Sequence, residues 1–245
     1  MAAAKDLTKG SPMKLILGFM LPMLLGLLFQ QFYNMVDTVV VGQFLGVEAL
    51  AGVGSTGSVN FLVLGFCIGV CAGFAIPVAQ TFGERDFDGL RKFAGNTIWL
   101  GIGFAAVMTV ATCLLCGNIL RWMNTPENVF DEAYNYIFVI FLGIPVTFLY
   151  NILSGFIRSL GDSKSPVVIL IVSSVINVGL DLLFILVLGM GVAGAGLATV
   201  LAQLISGIAC LVYMIKRFDI LHLSASDLKP DATAIKRLCA MGVPM

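Results

Sequence analysis

Charge is what this sequence most lacks. Only 11% of its 245 residues are Asp, Glu, Lys or Arg, where a soluble domain carries nearer a quarter. Its 14 basic and 14 acidic residues cancel, so no net field marks out nucleic acid as a partner. Histidine occurs once, as His222 in a polar stretch. The six cysteines form no metal pattern. Cys113-x-x-Cys116 has the right spacing, but no second pair and no histidine lies near it. Both read as small hydrophobes on a helix. Neither a resident metal centre nor a disulfide nor an organic cofactor is expected, and no constellation of catalytic groups points to an enzyme. A cleavable leader is also missing. The apolar stretch after Lys5 and Lys9 is too long for a signal core and has no small-residue cleavage site, so the first helix is expected to stay.

Apolar residues fill the space. They make up 59% of the chain, and the mean hydropathy is +1.00. That composition belongs to a multi-pass membrane protein, an all-α bundle. Six apolar segments are long enough to span a bilayer, at about 20 residues each. They run over residues 14–41, 53–81, 93–117, 132–154, 166–188 and 193–215, and a seventh begins near Leu238. Residues 1–215 therefore form one six-helix transmembrane lobe. Residues 216–237 form a polar linker on the cytoplasmic side, and residues 238–245 start a seventh helix that the chain cuts short.

The basic residues orient these segments. Lys5, Lys9 and Lys14 precede the first; Arg85, Arg91 and Lys92 lie between the second and third; Arg158 and Lys164 lie between the fourth and fifth. Five more follow the sixth, and Arg121 alone of the 14 falls on the other side. The positive-inside rule then places the N-terminus in the cytoplasm and the protein in the plasma (inner) membrane. Lys14 precedes Pro22-Met23 by the interval at which Lys236 precedes Pro244-Met245. A second six-helix copy starting there would be a parallel repeat, since both ends of the first lie inside.

Two acids lie inside the apolar segments. Asp181 is the only formal charge between Pro166 and Leu188, and a carboxylate at membrane depth costs a few kcal/mol on insertion scales. Asn177 precedes it by four residues and shares its helical face. Asp37 closes a polar stripe of Gln30, Tyr33, Asn34 and Asp37 at i, i+3, i+4 and i+7. Such a stripe faces the bundle or an aqueous cavity, not lipid. Counted from the outer helix ends, Asp37 lies roughly 6 Å down, Asp181 roughly 10 Å and Thr199 roughly 9 Å, with Gln203 one turn deeper than Thr199. Oxygens from Asp37, Asn177, Asp181 and Thr199 would suit a small hard cation. They would equally suit a proton held between two carboxylates. Pro22 and Gly26 lie lower on the first helix, where a proline frees a carbonyl and offers a hinge.

Some motifs carry no chemistry. Gly189-Met-Gly191-Val-Ala-Gly194 spells a dinucleotide fingerprint, but it lies in a turn between spanning segments with no strand before it. Gly65, Gly69 and Gly73 make a small-residue face suited to close helix packing. Glu84 to Lys92 is a solvated loop.

Four stretches together resemble the N-terminal lobe of the multidrug and toxic compound extrusion (MATE) transporters. They are Gln31-Phe-Tyr-Asn-Met-Val-Asp-Thr38, Ala79-Gln-Thr-Phe-Gly-Glu84, Arg158-Ser-Leu-Gly-Asp-Ser-Lys-Ser-Pro166, and Asn177 through Gln203. The resemblance implies two six-helix lobes around a central cavity. It implies efflux of organic, often cationic, compounds in exchange for Na⁺ or H⁺, with rocking between outward- and inward-open states. It also implies that Asp37, Asn177, Asp181 and Thr199 form the N-lobe cation or proton site, with Gln30, Tyr33, Asn34 and Gln203 along the pathway. The partners are then a small organic substrate, the coupling cation, the lipid bilayer and a missing C-terminal lobe, since members have about twelve helices. An alternative is a lipid-linked oligosaccharide flippase of the related superfamily. That function calls for arginine and lysine in the cavity, and basic residues here lie only near the ends of helices 1–6. A receptor or assembly subunit would not need two intramembrane acids.

Overall fold

The structure, a computed structural model, describes residues 11–224 and 227–244. Lys5, Lys9 and Met245, used above for orientation and for the repeat, lie outside the described residues. Among the described residues the chain is helix and turn, with no strand. The helices are α1 (Pro12–Leu45), α2 (Val47–Ser55), α3 (Gly57–Glu84), α4 (Phe87–Trp122), α5 (Glu127–Leu142), α6 (Ile144–Ser159), α7 (Lys164–Leu182), α8 (Gly191–Arg217) and α9 (Ala232–Gly242). Five of them are long and apolar enough to cross a membrane, and α5 with α6 makes a sixth, bent span.

That bend corrects one expectation. The segment at 132–154 reads as one spanning helix, yet the chain turns by 46° between α5 and α6. The reason is local. Pro145 has no N–H to give the carbonyl of Phe141, and its ring crowds that carbonyl. Gly143 at the break lets Val200 of α8 fit against its backbone: a Cβ there would stand 2.3 Å from Val200 Cγ2. A second difference is α2. Residues between the first two spans read as a plain connection, but they fold into a nine-residue helix that packs against α5. Ala49, Gly52 and Val53 are its buried face. A third is α9, which starts at Ala232 instead of near Leu238 because Asp231 accepts from Ala234 N (2.8 Å) and caps it.

α6 is the inner helix, flanked by α3, α4 and α8. Its residues Ile152 to Ile157 are buried without interruption. α8 in turn carries α7, and α7 carries α1. α1 is thus the outermost spanning helix. Its lower two-thirds leave Leu17, Leu21, Leu24 and Leu28 exposed, as lipid-facing residues are. The helix continues through Pro22 without a break. The turn into α8 runs through Gly189 and Gly191, both at positive φ (63° and 59°). That is a reason for glycine there which needs no nucleotide. Of the glycines proposed for helix packing, Gly73 makes the close contact: a Cβ on it would stand 2.5 Å from Gly242 Cα of α9. Gly65 meets nothing within 4 Å.

The segment after α8 is tied down instead of hanging free. Trp99 Nε1 donates to Leu228 O (2.8 Å), Asp231 N to Asn96 Oδ1 (2.9 Å), and Lys92 pairs with Asp231 at 2.8 Å. Arg237 donates to Gln80 Oε1 (2.8 Å) and lies over the Phe93 ring. These ties hold α9 against α3 and α4. Glu84 to Lys92 is therefore not merely solvated, since Arg91 and Lys92 reach Asp227 and Asp231.

The turn from α6 to α7 is locked by one carboxylate. Asp162 Oδ1 accepts from the backbone N–H groups of Lys164 (3.1 Å) and Ser165 (3.0 Å), capping α7. Its Oδ2 accepts from Ser165 Oγ (2.6 Å) and from Tyr213 Oη of α8 (2.8 Å). Partial burial acts to raise the Asp162 pKa, but these four donors outweigh it and hold the carboxyl below the usual carboxylate range. A depressed pKa adds stability above the unfolded value, about 3.9, and loses it as pH falls through the folded one. Asp162→Ala should cost about 2 kcal/mol at neutral pH. The difference from the unaltered chain should shrink steadily as pH is lowered below about 4, as thermal unfolding in detergent would record.

Candidate cation site and polar cleft

Three helices that pack on one another carry the intramembrane polar groups. α1 supplies Asp37, α7 supplies Asn177 and Asp181, and α8 supplies Thr199. Asp181 is fully buried, Asn177 is 1% exposed and Asp37 is 6% exposed. The Asp37 and Asp181 carboxyls come within hydrogen-bonding reach of each other. Around them, Asp37 Oδ1, both Asp181 oxygens, both polar atoms of Asn177 and Thr199 Oγ1 are buried with no hydrogen-bond partner among the described residues. Buried polar atoms are nearly always paired. A set of unpaired oxygens from three helices is the donor chemistry of a hard cation or of a shared proton. Among the described residues no group of three His, Cys, Asp or Glu side chains gathers to hold a metal ion, here or elsewhere.

Two tyrosines complete the surroundings. Tyr33 of α1 and Tyr136 of α5 both lie close enough to feel the charges of Asp37 and Asp181. Tyr136 is 7% exposed and follows Glu132 by four residues on α5, and the sequence reading did not single it out. Immediately beyond Asp181, α7 widens into a π-helical turn over Leu183–Val187. Such turns often sit at functional sites.

Below the acid pair runs a cleft of about 170 Å³ between α1, α6, α7 and α8. Gln30, Tyr33, Asn177, Thr199 and Gln203 line it. Ser173 and Ser206 meet across it at 2.6 Å, and Thr147 donates to Gln203 Oε1 at 2.8 Å. Ser173 precedes Asn177 and Asp181 at steps of four, so a polar line on α7 was readable. Ser206 likewise continues Thr199 and Gln203 on α8.

Two expectations need correction. Asn34 does not share the cleft: its side chain is exposed and accompanies Gln31 at 3.4 Å. At 100° per residue it stands about 100° round the helix from Tyr33, which puts it at the edge of the stripe. Arg158 is not a loop residue. It lies in the last turn of α6 and lines the cleft.

An all-helical fold with five or six candidate spans is that of a multi-pass membrane protein, and the comparisons name its family. The MatE family model matches residues 22–183, and the chain belongs to the MATE family. It is 35% identical over 235 residues to the probable multidrug resistance protein YoeA of Bacillus subtilis, across 92% of this chain and 50% of that protein. Among solved structures, a MOP superfamily transporter from Pyrococcus furiosus superposes over the whole chain with a TM-score of 0.90 at 26% identity, using 54% of its own length. An outward-facing multidrug resistance MATE family transporter gives the same score, identity and coverage. The chain spans about half the length of the relatives it matches.

The unpaired carboxylates carry a stability cost. Asp181→Asn should raise the thermal midpoint by several degrees in buffer free of Na⁺ at alkaline pH, equivalent to about 1–3 kcal/mol. A fall in the midpoint would show that the carboxylate is already satisfied.

Proposed function

We propose that this chain forms one lobe of a secondary active multidrug efflux transporter, which exchanges organic, often cationic, compounds for Na⁺ or H⁺. One observation supports the reading: buried polar atoms of Asp37, Asn177, Asp181 and Thr199, on three helices that pack on one another, have no hydrogen-bond partner among the described residues. A structural role would pair those atoms, whereas a transported ion must find them free. The multidrug resistance names of the relatives support the substrate class.

Ion binding would neutralise two like charges that repel at short range. The neutralised pair would draw α1 toward α7 at its outer end. α1 is the helix best placed to move, since it packs mainly on α7 and α2 and leaves most of its surface to lipid. Pro22 and the Gly26–Val167 contact (3.0 Å for an added Cβ) lie where such a motion would be absorbed. Helices α1 to α8 act as the lobe, residues 218–231 as the connection to a second lobe, and α9 as the start of the next helix. The basic residues of the α3–α4 and α6–α7 turns and of the segment after α8 would face the cytoplasm, in the plasma membrane.

The test is ion-driven dye efflux by the full-length carrier in everted vesicles. Asp181→Asn should lower the efflux rate at least about tenfold, with dye binding retained, because loss of a buried charge contact is worth 1.4 kcal/mol or more. Efflux equal to that of the unaltered carrier would overturn the coupling role.

A further inference from the structure

The cleft is electrically lopsided. Its lining includes Tyr33 and Asn177, each one helical turn from an acid (Asp37 and Asp181), and also Arg158 in the last turn of α6. Along α7 the lining runs from Asn177 to Pro166, eleven residues or about 16 Å. No Asp or Glu lines the cleft. Arg158 donates to Ser154 Oγ (3.2 Å), and among the described residues no carboxylate pairs with it. The nearest acid in sequence, Asp162, has both oxygens taken by Lys164, Ser165 and Tyr213.

A half-buried guanidinium facing a cleft with one neutral partner is incompletely compensated. Its five N–H donors form a rigid fork that matches a phosphate or carboxylate. Tyr150 and Asn151, about two turns back on α6, line the same cleft and add polar surface without negative charge. We propose that the Arg158 end of the cleft is a binding subsite for an anionic group, the phosphate or carboxylate head of an amphipathic ligand. The cleft would then take compounds by polarity. An anionic head lies at Arg158, and any cationic or neutral part extends toward the acid pair. This rests on the cleft as a ligand path but not on the identity of the coupling ion.

The probe is octyl phosphate, with the full chain held in phosphatidylcholine nanodiscs and no ion gradient. A failure of ion coupling therefore leaves the result intact, and a failure here leaves coupling intact. The unaltered chain should bind octyl phosphate saturably. Arg158→Gln should weaken binding about tenfold or more, with octylamine binding unchanged. A second arm uses nanodiscs containing phosphatidylglycerol, with retained lipid counted by native mass spectrometry. Loss confined to the octyl phosphate arm assigns the subsite to soluble anions. Loss confined to the lipid arm assigns it to a lipid headgroup, and either supports an anion subsite. Should Arg158→Gln fail to fold, octyl phosphate should still protect Arg158 of the unaltered chain from phenylglyoxal. Equal binding by both chains in both arms, or equal phenylglyoxal labelling with and without the probe, would overturn the proposal.

Discussion

A carboxylate cannot rest in hydrocarbon without company, and much of this architecture answers that constraint. Asp181 on α7 has to be enclosed by other helices. α1 covers it from one side with Asp37, and α8 covers it from the other with Thr199. α5 closes the enclosure with Tyr136. The enclosure is nonetheless unfinished, since polar atoms of Asp37, Asn177, Asp181 and Thr199 inside it have no hydrogen-bond partner among the described residues. A fold that only sought stability would have put apolar side chains there. The unpaired polar shell is what separates this region from a packed core.

The rest of the lobe supplies rigidity around that shell. α6 is gripped on three sides, and the α6–α7 turn is locked by Asp162. The segment after α8 is fastened to α4 by Asn96, Trp99 and Lys92. Against this frame α1 stands apart, joined chiefly near its outer end. A helix with little buried surface can shift at low cost, so the division between fixed frame and mobile helix follows from where apolar area is buried. The cleft between them holds one guanidinium, Arg158, and no carboxylate in its lining.

Much of this was legible one residue at a time. Hydropathy located the spans because a bilayer demands about 20 apolar residues in each. The cost of intramembrane charge singled out Asp37 and Asp181. Helical periodicity put Asn177 with Asp181 and Gln203 with Thr199. Periodicity overreached at Asn34, because a stripe defined by i+3 and i+4 steps is wider than the face one neighbour can cover. It was silent on Tyr136, which stands where the polar first half of α5 gives way to the apolar run Ile137 to Leu142. Arg158 was misplaced as a loop residue because its neighbours Gly161 and Asp162 mark the turn and draw the helix end too early.

The sequence by itself determined that the chain is a membrane bundle, which helices cross and which polar groups cannot face lipid. These follow from the free energy of each group in hydrocarbon, a local property. Only the tertiary structure decided that Asp37 meets Asp181, that Arg158 turns into the cleft, and that Pro145 breaks the fourth span. It also decided that α9 docks on α3 through the backbones of Gly73 and Gly242. Those depend on how helices rotate and approach one another, and that is set by packing among residues far apart in the chain.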